Sequence, residues 1–83
     1  MNPLKNLTVR YFALLREQAG CREAAIITAA STPSELYAEQ MQARGLTVPA
    51  RILSYAVNER YVSGDSSLRE GDRVAFSPPV AGG

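Results

Sequence analysis

The sequence predicts an α+β roll, one sheet with a single main helix laid across it. Three observations point there. Leu7-Thr8-Val9-Arg10-Tyr11, near the start, alternates apolar and polar residues as a half-buried strand does. Arg73-Val74-Ala75-Phe76-Ser77, near the end, does the same. Between them, Thr32-Pro33-Ser34-Glu35 is a helix-start pattern. The chain's 83 residues suit one domain with one modest core.

In the first strand Leu7, Val9 and Tyr11 face the core. Phe12 falls in the phase of Thr8 and Arg10. Either the strand has ended and the ring turns inward, or the ring is a contact for another protein. Residues 13–19 form a short helix closed by Gly20 in the left-handed region. Gly20-Cys21-Arg22 then turns the chain into a strand over 23–28, antiparallel to the first. Thr32 caps the main helix, Pro33 suits its first position, and Glu35 closes a capping box. That helix runs to about Arg44 and stops at Gly45, with Leu36, Met41 and the Tyr37 ring on the sheet and Arg44 bounding that face.

Residues 46–52, with Pro49 among them, are a loop. Residues 54–58 are the third strand, Asn58-Glu59-Arg60 a turn with Asn58 at positive φ, and Tyr61-Val62 a short fourth strand. Leu68 plugs the core from a segment of turn formers, and Gly71 lets the chain reverse into the last strand. Pro78 ends that strand because it has no N–H to donate. A hairpin, a long helix and three more strands make a β-grasp, the ubiquitin-like topology, with a mixed sheet of four to five strands. Its first and last strands lie parallel at the centre. The domain is then 1–77, and 78–83 is an extended, flexible tail.

Composition excludes several kinds of chemistry. The net charge is +1 with no basic run, so nucleic acid and anionic membrane are poor partners. No apolar stretch approaches a transmembrane span, and the N-terminus lacks a signal-peptide core, so a cytoplasmic location is expected. Cys21 is the only cysteine, which excludes an internal disulfide and a cysteine-built metal site. There is no histidine, so a Ser–His or Cys–His mechanism within the chain is excluded. No metal and no bound cofactor are expected.

The last residues are Pro78-Pro79-Val80-Ala81-Gly82-Gly83. The prolines favour an extended backbone, and glycine can pass close to another surface. A carboxylate on such a stalk is available to a partner's active site. Arg10, Arg16 and Arg73 are surface charges or partner contacts, and Asp65 and Asp72 are turn residues.

Val9-Arg10-Tyr11-Phe12-Ala13, Leu15-Arg16-Glu17 and Gly20 resemble the opening of the small subunit of molybdopterin synthase, the MoaD type. Ala56-Val57-Asn58, Leu68, Gly71-Asp72, Val74-Ala75-Phe76 and the Pro-Pro-Val-Ala-Gly-Gly ending continue the resemblance over nearly the whole chain. It implies a sulfur carrier. A MoeB-like enzyme would use ATP to adenylate the Gly83 carboxylate, and sulfur would replace the adenylate to give a thiocarboxylate. The carrier would then dock on a MoaE-like large subunit, in a heterotetramer, and donate sulfur to cyclic pyranopterin monophosphate. Acid–base and substrate-binding residues would belong to the large subunit.

The same resemblance places Phe12, Tyr61 and Phe76 at the partner surface and sends Pro78, Pro79, Val80, Ala81 and Gly82 into the partner behind Gly83. Phe76 also alternates with Val74, which suits a core position. Ser77 departs from the pattern, since relatives often carry an apolar or aromatic residue there. The alternatives are a ThiS-like or cysteine-pathway sulfur carrier, a ubiquitin-like protein modifier that forms an isopeptide through Gly83, and a plain interaction domain.

Overall fold

The structure, a computed structural model, describes residues 3–79. Its elements are β1 (Lys5–Tyr11), α1 (Leu14–Ala19), β2 (Glu23–Thr28), α2 (Pro33–Arg44), β3 (Ser54–Val57), β4 (Arg60–Val62) and β5 (Arg73–Ser77). They form a five-stranded sheet of order β2-β1-β5-β3-β4. β1 and β5 pair in parallel at its centre, and the other neighbours pair antiparallel. This is the expected β-grasp roll.

The main helix is capped much as its sequence requires. Thr32 Oγ1 accepts a hydrogen bond from Glu35 N at 3.2 Å. The Glu35 carboxylate reaches one residue further back than a standard capping box and accepts from Ser31 N at 2.8 Å. Gly45, at φ 70°, ends the helix and donates its N–H to Met41 O. The segment expected to be an irregular loop at 46–52 contains a 3-10 turn over Ala50–Ile52. Pro49 starts it, and its carbonyl accepts from Ile52 N at 3.2 Å.

The core lies between α2 and the inner face of the sheet. Leu7, Val9 and Tyr11 of β1, Tyr55 of β3, and Val74 and Phe76 of β5 meet Leu36 and Tyr37 of α2, all buried. Leu15 and Leu68 close the ends. Each such aliphatic or aromatic side chain contributes about 1.5–3 kcal/mol on burial. Two of the three tyrosine hydroxyls that enter are paired, and Tyr55 Oη is buried without a hydrogen-bond partner. Tyr11 Oη donates to Gln40 Oε1 and Tyr37 Oη donates to Val48 O, each at 2.6 Å. Arg44 bounds the layer as expected, with its guanidinium 5.3 Å from the centre of the Tyr11 ring.

The reversal into β5 is braced by side chains. Asp72 accepts from Asn58 Nδ2 at 2.9 Å and from Arg69 N at 2.8 Å, and Asn58 Oδ1 accepts from Arg73 N at 3.0 Å. Asp72 is thus a turn residue. Asn58 and Glu59 both have positive φ, 52° and 71°, which makes the β3–β4 connection a two-residue turn of the kind that matches strand twist.

Candidate functional site

The outer face of the sheet carries the candidate site. Side chains alternate along a strand, so the residues between the core positions all point outward. The register aligns Arg10 with Ala75, Ala75 with Ala56, and Ala56 with Tyr61. One row therefore crosses four strands, with two alanines in its middle. Together with Phe12, Glu59, Arg73 and Ser77 this row lines a groove of about 390 Å³. Tyr61 is 80% exposed and Phe12 38%. Tyr61 also lines a wider hollow of about 620 Å³ with Ser34, Arg51, Tyr55 and Asp65. The smaller groove includes Ser77, the residue before Pro78.

The question raised by Phe12 has a clear answer. β1 ends at Tyr11, but the Phe12 ring stays outside, with the Arg10 guanidinium 5.2 Å from its centre. The chain turns inward only after Ala13, at φ 52° and ψ −128°. This is a backbone region that glycine occupies far more readily than alanine. The turn delays the start of α1 to Leu14 and places Leu15 in the core at 0% exposure. Phe12 O accepts from Leu15 N at 3.1 Å, and Ala13 O from Arg16 N at 3.0 Å.

Phe76 is corrected from the partner surface to the core. It is 0% exposed, and its ring lies 5.0 to 6.1 Å from those of Tyr37, Tyr55 and Tyr11. Its register with Tyr11 and Tyr55, both inward, puts it on the helix side of the sheet. Phe12 and Tyr61 do meet at one groove. Pro78 is half-buried and Pro79 exposed, while Val80, Ala81, Gly82 and Gly83 lie outside the described residues.

Ala56 and Ala75, the groove's floor, were not singled out from sequence. Each is a small residue between two larger apolar ones, Tyr55 and Val57, or Val74 and Phe76. That pattern marks an outward position, but the strand pairing is needed to bring the two alanines together.

The charges around the groove are loosely held. Arg10 and Arg73 approach one oxygen of Glu23 at 3.7 and 3.8 Å, and all three side chains are substantially exposed. Exposed pairs of this kind contribute about 0–1 kcal/mol, so a partner's charge can replace them at little cost. The shifted groups lie on the other side of the sheet. Burial raises the Tyr11 phenol above its ordinary range against the opposing pull of Arg44, with a further upward push from Cys21. Burial and then Tyr55 raise Tyr37. Cys21 is half-buried, and its sulfur accepts from Arg44 Nη1 at 3.5 Å. Among the described residues, no three of His, Cys, Asp and Glu converge on a metal position. No helix among them is long and apolar enough to cross a membrane.

The profile of the ThiS family matches residues 9–83. The molybdopterin synthase sulfur carrier subunit of Escherichia coli K12 is 37% identical over 81 residues, covering 93% of this chain and 99% of the relative. In the complex of subunits 1 and 2 of the molybdopterin-converting factor from Helicobacter pylori, one chain is 25% identical, with a TM-score of 0.62 over 94% of this chain and 99% of that one. SAMP1 from Haloferax volcanii shares the fold at 21% identity, with a TM-score of 0.75 over 94% of this chain and 99% of that one.

Proposed function

The chain belongs to the ThiS family of small β-grasp sulfur carriers, and from that premise we propose that the carboxylate of Gly83 is its working group. The observation that carries this reading is that the family match runs through to residue 83, where Gly82 and Gly83 stand side by side. A terminal carboxylate has a pKa of about 3.5, so it is ionised near neutral pH and a poor electrophile. Attack of its oxygen on the α-phosphorus of ATP, with loss of pyrophosphate, forms an acyl adenylate. A sulfur nucleophile then displaces AMP, and the carboxyl carbon ends as a thiocarboxylate. The charge on the thioacid anion rests on a soft sulfur, a better nucleophile than a carboxylate oxygen. The chain has no histidine, and the acid–base groups for these steps belong to the MoeB-like adenylating enzyme and to the acceptor enzyme.

The matches span sulfur carriers and the archaeal SAMP1 fold, so they favour the broad carrier reading over assignment to one pathway. A second, narrower reading is the small subunit of molybdopterin synthase, favoured by the 37% identity to the Escherichia coli subunit. In that reading a MoaE-like subunit takes the tail, and sulfur passes to cyclic pyranopterin monophosphate.

The test is intact-mass measurement of the full chain after incubation with adenylating enzyme, ATP and a sulfur donor. Gain of the mass difference between sulfur and oxygen at Gly83 is the expected result, and an unchanged mass refutes the carrier reading. Gly82→Ala is expected to fold as the parent does and to lose sulfur transfer, because a side chain there obstructs a narrow channel. Conversion of the pterin precursor by the thiolated chain with the large subunit selects the narrower reading. Conjugates to lysines of other proteins would select a modifier.

A further inference from the structure

We propose that the open edge of β2 pairs antiparallel with the β2 of a second copy of this chain, across a two-fold axis at Ile26. The pairing does not depend on the carrier reading. β2 is the outermost strand in the order β2-β1-β5-β3-β4. Tyr11 donates its N–H to Arg22 O at 3.0 Å. Bonded residues alternate along an antiparallel pair, so Arg22, Ala24, Ile26 and Thr28 direct their backbone groups to β1. Those of Glu23, Ala25 and Ile27 face the open edge.

A free edge templates pairing unless the strand is very short, charged, bulged or broken by proline. β4, the other edge, is three residues long and begins with Arg60. β2 has six residues, with its one charge at the first position. Its register with β1 runs from Lys5↔Thr28 to Arg10↔Glu23 without a bulge. Ile27 is 69% exposed, and Ile26 is only partly buried at the margin of the core.

Self-complementarity names the occupant. Opposite residues share a face, so full overlap of two β2 strands needs the axis at Ala25 or at Ile26. An axis at Ala25 sets the Glu23 carboxylate against Ile27. An axis at Ile26 sets Ile26 against its own copy, each Ile27 against an Ala25, and each Ala24 against a Thr28. Ala25 and Ile27 then exchange both backbone bonds, large beside small, and the two Ile26 side chains join the cores of the two copies. Charge agrees with this register. Arg22 is exposed and makes no ion pair among the described residues. It lies diagonal to the second copy's Thr28, whose hydroxyl donates to the exposed Glu39 carboxylate at 2.6 Å. Diagonal positions are about 7–8 Å apart, within reach of long side chains, so each copy offers Arg22 to the other's Glu39.

Sedimentation velocity of the full chain tests this. The mass is expected to rise from one chain to two between about 1 µM and 1 mM. Ala25→Pro removes an edge-facing N–H, and Ile27→Lys puts a charge at the seam. Each is expected to raise the dissociation constant by about tenfold or more. Arg22→Glu weakens the dimer as well, and adding Glu39→Arg restores it. Tyr61→Lys, on the opposite edge strand, leaves the constant as it is. A single-chain mass throughout, a dimer indifferent to Ala25→Pro and Ile27→Lys, failure of the charge exchange to restore pairing, or loss of the dimer in Tyr61→Lys overturns the proposal.

Discussion

The two faces of the central strands β1 and β5 differ in almost every property, although they alternate along the same residues. Inward, Val9, Tyr11, Val74 and Phe76 are at most 1% exposed, and the Tyr11 hydroxyl is hydrogen-bonded. Outward, Arg10, Phe12, Arg73, Ala75 and Ser77 line a groove, and the ion pairs to Glu23 are long and exposed. One face uses its side chains for stability, and the other leaves them available. The comparison teaches that a small domain can expose an aromatic-lined groove without weakening its core, because a period of two residues separates the two faces sterically.

The largest expected effect comes from exchanging the roles of the two faces. Phe76→Ala removes a ring packed against three tyrosines and is expected to cost about 3–5 kcal/mol, much of the stability of a domain this size. Tyr61→Ala, on the other face, should change stability by less than about 0.5 kcal/mol while weakening the adenylating enzyme's grip on the carrier. Urea denaturation of both variants measures the contrast, and equal losses would erase it.

Alkali should lower stability through the inner face. The phenols of Tyr11 and Tyr37 are both raised above the ordinary value by burial. The folded state thus favours the neutral forms. Their contribution is whole below the unfolded-state value of about 10 and is lost as pH climbs towards the higher folded-state values. Melting temperatures measured through that window should fall, and less steeply in a Tyr11→Phe, Tyr37→Phe double variant relative to its own neutral-pH value.

A smaller effect is expected at the junction of the two faces. Ala13 holds φ 52° and ψ −128°, a conformation that costs a non-glycine residue about 1–3 kcal/mol. Ala13→Gly relieves that cost but loosens the unfolded chain, for a net gain of about 1 kcal/mol. A higher denaturation midpoint with undisturbed adenylation would show that the strain belongs to the turn. Impaired adenylation would show that alanine there also steadies Phe12.

Much of this was legible from local pattern. The capping residues Thr32, Pro33 and Glu35, the glycine stops at Gly20 and Gly45, and the core phase of Leu7, Val9 and Tyr11 stand where the sequence places them. Each depends on contacts within a few residues, so each is written in a short window. The strained Ala13 turn and the 3-10 turn after Pro49 were not legible, because tertiary packing overrides local preference there. The final four residues, which carry the proposed chemistry, were readable only as composition and family pattern.

By itself the sequence determined the kinds and order of the elements, the alternation within each strand and the Gly82-Gly83 pair. Only the tertiary structure decided that Phe76 lies against Tyr11, Tyr37 and Tyr55, and that Ala56 and Ala75, nineteen positions apart in number, sit side by side in the groove that Phe12 and Tyr61 also line. The physical reason is that alternation along a strand is local stereochemistry. Which strands become neighbours, and in which register, is settled by long-range pairing around a shared core.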